Sequence, residues 1–396
     1  MTGDKAKPGD PTFRVLATVG AFEPGFRAGG PIKSVARIVD TVSEGIDVSL
    51  ITRDRDLVSS DPYPGLSGRW ITRGRSRVFY LATSRPEQWL RLVRELREEP
   101  FDLLYLNSLW QPIFSIIPVI AARLGLIRAK SILLAPRGEF SPGALTLKAR
   151  KKQLFLKAWR PFLRSMDVEW HASSEREASD IRTTFPDARV TVVSEQSVLP
   201  YESPLFESEH DGPVRLVFIG RISPMKNLLL ALEALHQLSS SAEFDIYGPA
   251  EDPDYWARCK SVIDHLPGHV RVTYHGELAP EEVREVFSRY DAFLFPTLGE
   301  SYGHVIAESL SAACPVICSD ETSWTDLLLS GGGMVVRDLT PAGLAAYLEC
   351  VALMSPGERV AAKLSAGHAY LTWRKRQLDR NILDVVRQDR SLAQSP

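Results

Sequence analysis

Two carboxylates eight positions apart, Glu300 and Glu308, flank the stretch Ser301-Tyr302-Gly303-His304-Val305. Glu300 stands in a loop just past the apolar run 291–295, which reads as a strand. Gly303 falls where the next helix must begin, and Glu308 lies one to two turns inside it. A helix N-terminus presents free backbone N–H groups and a partial positive charge, a setting suited to phosphate. A carboxylate one turn in can accept hydrogen bonds from a ribose diol. The segment therefore reads as a seat for a nucleoside diphosphate carrying a sugar. Glutamates at this spacing are also common on solvated helices, so the neighbouring elements must decide between the two.

A second set of able residues precedes it. Residues 214–220 form an apolar run ending in glycine, and Arg221 and Lys226 follow in the loop beyond. Two cations five apart can grip a diphosphate from two sides, or simply be solvated. The run 244–247 ends in Tyr247-Gly248-Pro249, and 270–274 runs into His275-Gly276. In the first half, strand 13–19 opens into a loop ending Gly29-Gly30-Pro31. A helical spacing of apolar residues at 32, 35, 36, 38 and 39 follows. Gly29 and Gly30 let the backbone approach a ligand closely, or make a tight turn with no ligand. The GxGxxG fingerprint is absent, which argues against a nicotinamide dinucleotide. Strand 131–135 runs into Pro136-Arg137-Gly138, where Arg137 suits a phosphate or a carboxylate.

These loops need strands and helices in alternation. Strands are expected at 48–52, 78–82, 102–106, 168–173, 189–193 and 315–318, and helices at 87–99, 112–124, 175–185, 228–238, 280–289, 322–330, 341–354 and 356–371. Residues 53–77, rich in Arg, Asp, Gly and Pro, read as a long loop or small insert. Ser174 with Glu177 has the capping-box spacing. The span 144–164 reads as one long basic amphipathic helix, including Lys148 and with Pro161 set to bend or end it, able to lie on an anionic membrane surface or to form a solvated face. The regular alternation predicts an α/β fold of two Rossmann-like domains with an interdomain cleft. The boundaries are a flexible tail 1–12, a domain 13–200, a linker 201–213, a domain 214–372, and a basic helix from 373 to 387 within a closing segment 373–396 that crosses back to the first domain.

With 396 residues, two domains are the default. Residues 1–200 hold 30 Lys and Arg against 22 Asp and Glu, and residues 201–396 hold 17 against 27, so the two halves carry opposite charge. The pI near 6.5 and the lack of a basic stripe with interleaved aromatics argue against a nucleic-acid binder. Cys259, Cys314, Cys318 and Cys350 form no CxxC pair, which suggests reduced thiols in a cytoplasmic protein and no zinc site. Residues 103–122 are uncharged and of membrane-span length, but Asn107, Gln111, Pro112 and Pro118 favour a strand, a loop and a helix instead. Asp54-Arg-Asp56 and Asp252-Pro-Asp254 have metal-motif spacing, yet neither reads as following a sheet-edge strand.

The order Gly220-Arg221, Lys226-Asn227, Tyr247-Gly248, His275-Gly276 and Glu300 through Glu308 resembles the retaining glycosyltransferases of the GT-B fold, family 4, also called group 1. The resemblance covers nearly the whole chain, with Gly29-Gly30 and Pro136-Arg137-Gly138 in the first half. It implies that Arg221 and Lys226 hold the donor diphosphate, that Glu300 contacts the transferred sugar, and that Glu308 binds the ribose. It implies further that Tyr302, Gly303, His304 and Val305 line sugar and phosphate, and that Gly30 lines the cleft. The reaction implied is front-face transfer from a UDP- or GDP-linked sugar to a glycan or lipid-linked acceptor, with no cofactor and no metal. The Arg-rich insert 53–77 and the basic helix 144–164 point to an envelope glycan or lipid-linked acceptor, in cell-envelope or extracellular polysaccharide synthesis on the inner face of a membrane. Asn107 stands where many members carry His, and Asn cannot carry a proton at neutral pH. An accessory subunit that keeps a nucleotide-sugar site is the alternative, and a nucleotide-sugar epimerase or a phosphorylase of the same fold fits the motif order less well. Acceptor choice would rest on loops 20–30, 53–77 and 107–145.

Overall fold

The computed structural model describes residues 12–147, 149–202 and 210–393. Most of the expected tail, part of the expected linker, and Lys148 lie outside the described residues. The chain divides into two compact units, one of residues 1–141, 145–196 and 378–396, the other of 142–144 and 197–377.

The N-terminal unit holds β1 (Phe13–Thr18), β2 (Ile46–Arg53), β3 (Trp70–Arg73), β4 (Ser76–Leu81), β5 (Pro100–Phe101), β6 (Leu103–Asn107), β7 (Arg128–Ala129), β8 (Ile132–Ala135), β9 (Val168–Ala172) and β10 (Arg189–Val192). Its main sheet has the order β10-β9-β8-β6-β1-β2-β4-β3, and β5 pairs with β7 apart from it. Pairing in the main sheet is parallel except at β3, which runs antiparallel to β4. Residues 53–77 are thus not all loop, since Trp70 to Arg73 pair antiparallel with Ser76 to Phe79 and cover the sheet's edge. There Trp70 meets Phe79 edge-on at 5.2 Å and Arg77 lies 4.4 Å over the Trp70 ring. Successive strand residues feed opposite faces, as the pleat requires. Val15, Ala17, Leu103 and Tyr105 join one core, while Leu16, Leu104 and Leu106 join the other.

Residues 144–164 form two helices, Pro142–Thr146 and Ala149–Arg164, and Pro161 falls in the last turn of the second without ending it. Half of the expected capping box forms. Ser174 Oγ accepts from Glu177 N at 3.2 Å, but the Glu177 carboxylate accepts instead from Ser173 N at 2.8 Å and Gly138 N at 2.7 Å. Residues 112–124 make a wide turn, Pro112–Ile116, and a short helix, Ile117–Arg123. Among the described residues no helix is long and apolar enough to cross a membrane.

The C-terminal unit carries β11 (Val214–Ile219), β12 (Ala242–Tyr247), β13 (Val270–Gly276), β14 (Ala292–Phe295), β15 (Val316–Ser319) and β16 (Gly333–Val336) in one parallel sheet of order β13-β12-β11-β14-β15-β16. A helix that the apolar spacing leaves undetected, Pro253–Ile263, packs Tyr255 and Cys259 into the core. Its start is nonetheless signalled by Pro253 in the first turn and by Asp252, whose carboxylate accepts from Tyr255 N at 2.9 Å. The expected helix 322–330 shrinks to Thr325–Leu327 and a wide turn, Leu328–Gly332, which Gly331 leaves at φ 118°.

The expected helix 373–387 is two pieces. Helix Pro356–Arg376 absorbs its beginning, Gln377 turns extended, and helix Ile382–Ala393 starts anew as part of the N-terminal unit. Asn381 sets the break. Its amide donates to Ile38 O at 2.8 Å and Thr41 Oγ1 at 2.9 Å, and its Oδ1 accepts from Leu383 N at 3.0 Å. Ile382, Leu383 and Val386 are thereby buried in one of the unit's two cores. Leu383→Ala should cost about 2–5 kcal/mol, read as a lowered denaturant midpoint.

A buried carboxylate sits between β6 and β8. Glu139 accepts from Ser108 Oγ at 2.5 Å and Leu109 N at 2.6 Å, fixing Ser108 at φ 102°. Burial pushes its carboxyl up to about 7, beyond what the bonds from Ser108 and Leu109 and the nearby Lys152 charge offset. The folded chain then keeps this proton up to about pH 7, whereas an unfolded carboxyl releases it near pH 4.5. Stability from this group is full below pH 4.5 and lost as pH rises through 7. Glu139→Gln should remove that contribution. The stability of wild type relative to the variant should fall by a few kcal/mol at most between pH 4.5 and 7.5 in denaturant titrations, and a flat difference would contradict this.

Candidate active site

In the C-terminal sheet the strand order reverses between β11 and β14. In an open parallel sheet, loops leaving the carboxyl ends of two such strands part and leave a crevice. The loop after β11 carries Arg221 and Lys226, and the loop after β14 carries Glu300. Backbone bonds join the two: Leu298 N donates to Met225 O at 2.9 Å, and Thr297 Oγ1 to the same oxygen at 3.1 Å. The loop after β15 joins them, with Glu300 N donating to Glu321 O at 3.2 Å and Ser319 Oγ to Thr297 O at 2.5 Å.

Lys226 and Glu300 form a direct ion pair, their side chains only 14% and 12% exposed. Asn227, in the left-handed region at φ 57°, turns the chain there, and the Lys226 ammonium lies 5.4 Å over the Phe295 ring. Arg221, more open, pairs with Glu251 at 2.8 Å. Both cations therefore already face a carboxylate. Glu251 is not singled out by the sequence pattern, although it lies two residues past the Tyr247-Gly248-Pro249 strand end.

That strand end brings Tyr247 and Gly248 to the same edge. Gly220 N donates to Tyr247 O at 3.0 Å, and Gly248 N to Gly276 O at 2.7 Å. At Gly248 φ is 137°, and a Cβ there would stand 1.9 Å from Gly220 O, so only glycine fits. The Tyr247 ring stacks on His275 at 4.6 Å, and Asp245 holds His275 Nε2 at 3.0 Å and the Tyr290 hydroxyl at 2.7 Å.

Helix His304–Ser311 begins at Gly303, in the left-handed region at φ 82°, an N-cap residue with no side chain to cap it. Trp324 Nε1 donates to Tyr302 O and lies 3.1 Å from where a Gly303 Cβ would be, which fixes the approach to the helix. His304 lies beside the Tyr302 ring at 4.7 Å, and Val305 packs against the core. Glu308 is half-buried in the second turn. The structure thus gathers Arg221, Lys226, Tyr247, Gly248, Glu300, the Tyr302–Val305 stretch and Glu308 on elements at the carboxyl edge of one sheet.

Gly29, Gly30 and Arg137 belong to the N-terminal unit. Gly29 stands at φ 68° before helix Gly30–Asp40, and a Cβ on it would meet nothing within 4 Å. Asp56 holds the approach by accepting from Phe26 N at 3.0 Å and Arg27 N at 3.3 Å. Asp54 follows β2, which lies inside the sheet between β1 and β4, and its carboxylate pairs with Arg55 at 3.0 Å and accepts from Ser67 Oγ at 2.7 Å. Among the described residues no three His, Cys, Asp or Glu side chains gather as a metal site requires.

Arg137 differs from its expected role. Its side chain is 9% exposed and paired with Glu195. It also donates to Asn107 Oδ1 at 2.8 Å and the Tyr105 hydroxyl at 2.9 Å. The guanidinium is committed inside the unit rather than offered to a phosphate. Tyr105 reaches His171 Nδ1 at 2.9 Å, and His171 Nε2 lies 3.1 Å from Val193 O. Burial first, and then the Arg137 charge, push the His171 ring down to about 3, so it is neutral. Asn107, at the end of β6 beside β1, spends its amide on Arg137 and, at 3.4 Å, on Thr18 O. Tyr105, His171 and Glu195 carry no sequence signal of this role, since their partners lie 22 to 66 positions away.

Residues 213–352 match the family model of the glycosyl transferases group 1. No curated protein sequence is significantly similar to the chain. Among solved structures, sucrose-phosphate synthase from Thermosynechococcus elongatus superposes with a TM-score of 0.70 at 15% identity, over 96% of this chain and 99% of that one. Anabaena HepE in complex with UDP and glucose gives 0.66 at 15% identity over 96% and 99%. WaaG, a glycosyltransferase involved in lipopolysaccharide biosynthesis, gives 0.64 at 13% over 94% and 98%. With its two units and these superpositions the chain has the GT-B fold, and its residues 213–352 are similar to the glycosyl transferases group 1.

Proposed function

We propose that the chain is a retaining glycosyltransferase of family 4, moving a sugar from a UDP- or GDP-linked donor to a hydroxyl of a glycan or lipid-linked acceptor in envelope or extracellular polysaccharide synthesis. The observation that carries this reading is the placing of the Lys226–Glu300 pair and the glycine-led start of helix His304–Ser311 on loops at the reversal of strand order. The UDP and glucose in the HepE complex support a uridine-linked donor.

In this reading the donor diphosphate takes Lys226 from Glu300 and Arg221 from Glu251. The first amides of the helix meet the remaining phosphate oxygens. Glu300, released, turns to the sugar hydroxyls, and Glu308 receives the ribose. The bond from the anomeric carbon to the diphosphate oxygen breaks, the acceptor oxygen bonds on the same face, and its proton passes to the leaving phosphate. Charge growing on that leaving oxygen meets cations already in place, usually the largest catalytic contribution. The reading assigns no cofactor and no divalent metal.

One observation favours the accessory-subunit alternative. Asn107 is engaged by Arg137 and Thr18 and brings no titratable group to the end of β6. Calorimetric titration of UDP, GDP and ADP separates the two. The transferase reading expects one diphosphate to bind, at least tenfold more weakly (1.4 kcal/mol) in Lys226→Ala and in Glu308→Ala, with no effect of a chelator. Absence of binding to all three would favour the accessory reading.

We also propose a peripheral position on the cytoplasmic face of an anionic membrane. Helix Ala149–Arg164 leaves Leu154 72% exposed, with Arg150, Lys151, Lys157 and Arg164 exposed along it. Such a helix gains from anionic headgroups, less so in salt. Flotation with anionic vesicles at low salt and release at high salt is the expected result. Failure to float at low salt would remove this part.

A further inference from the structure

The sheet of the C-terminal unit has a second edge, where its strands begin. Against the first residues of β14, β15 and β16 lies a cavity of about 210 Å³, lined by Ala292, Val316, Met334, Met354, Ala362 and a charged corner of Asp291 and Arg359. An apolar cavity of roughly 150 Å³ is enough to admit benzene. Every lining residue belongs to this one unit, and the loops of the candidate active site leave the opposite ends of the same strands.

The corner is asymmetric in its hydrogen bonding. Asp291 accepts from Arg215 N at 2.8 Å and has His210 Nε2 3.1 Å from both of its oxygens. Arg359, 9% exposed, stands 3.8 Å from Asp291. Its Nη1 donates to Gly212 O at 2.9 Å, and its Nη2 to Ala352 O at 3.5 Å. Its Nε is buried and finds no hydrogen-bond partner among the described residues. A buried donor left unmet is unfavourable, and one on a charged group more so. One helical turn on, Lys363 adds a second buried cation, its ammonium held by Ser288 O at 2.8 Å and Tyr290 O at 2.9 Å. The unmet Arg359 donor at the corner and the apolar contact offered by the rest of the wall suit a carboxylate on an apolar body.

We infer that this cavity is a binding site for a small, largely apolar carboxylate, with its ring or branched chain against Met334 and Met354 and its carboxylate accepting from Arg359. The inference does not rest on the donor reading, because it uses none of the residues assigned to the donor.

The test follows the methionine methyl resonances of the full chain, labelled with carbon-13, as benzoate is added. Met334 and Met354 line the cavity, whereas Met225 stands beside Lys226. The expected result is a saturable shift of Met334 and Met354 with Met225 unmoved, loss of the shift in Ala362→Leu, which fills the space, and at least tenfold weaker binding of benzyl alcohol. An unchanged Met225 signal in Ala362→Leu shows that the variant is folded. Silent Met334 and Met354 resonances, or shifts that survive Ala362→Leu, would overturn the site. Equal binding of benzyl alcohol would overturn the carboxylate.

Discussion

Parallel strands cannot be joined by a tight turn. Each connection must cross a face of the sheet, and where successive crossovers change direction the loops of two neighbouring strands are forced apart. Both sheets of this chain meet that constraint once, at β1 and β6 in the N-terminal unit and at β11 and β14 in the C-terminal unit. The residues able to do chemistry collect at these two places. They do so because the topology leaves space there and aims strand ends into it.

The two places use charge differently. At the first, Arg137 lies inside the unit with Glu195, Asn107 and Tyr105 about it, and its bonds hold strand ends in register. Removing either charge would leave the other buried and unpaired, which is strongly unfavourable. At the second, Lys226 and Glu300, 14% and 12% exposed, pair on the loops that lead to a helix begun by a glycine. In the proposed function the same two residue types, a cation and a glutamate, make a fixed strut in one setting and a pair parted by the donor in the other.

Much of the fold could be read from the chain because a buried parallel strand writes itself as a short apolar run. Runs such as 214–220 and 291–295 are strands almost where the residues place them. Reading failed where the deciding partner is far away. Nothing near Arg137 announces Glu195, 58 positions on, so a buried strut looked like a phosphate ligand. Trp70 to Arg73 resembled a loop because an edge strand in polar company shows little burial, and its pairing with β4 is what makes it a strand. The helix expected at 373–387 has continuous helical spacing, but Asn381 is drawn out of it by Ile38 and Thr41, more than 300 positions earlier. At the candidate active site the positions were legible, because they sit next to strand ends. The pairings Lys226 with Glu300 and Arg221 with Glu251 were not, because they join separate loops.

The N-terminal unit is interrupted by the whole of the C-terminal unit and completed only by residues 378–396. On a ribosome, β1 to β10 leave the exit tunnel while Ile382, Leu383 and Val386 are still unmade. One apolar face of that sheet must therefore wait, incompletely covered, through the synthesis of some 180 further residues. Exposed apolar faces of this kind are where nascent chains aggregate or recruit chaperones. The half of the protein that is translated first is the half that finishes folding last.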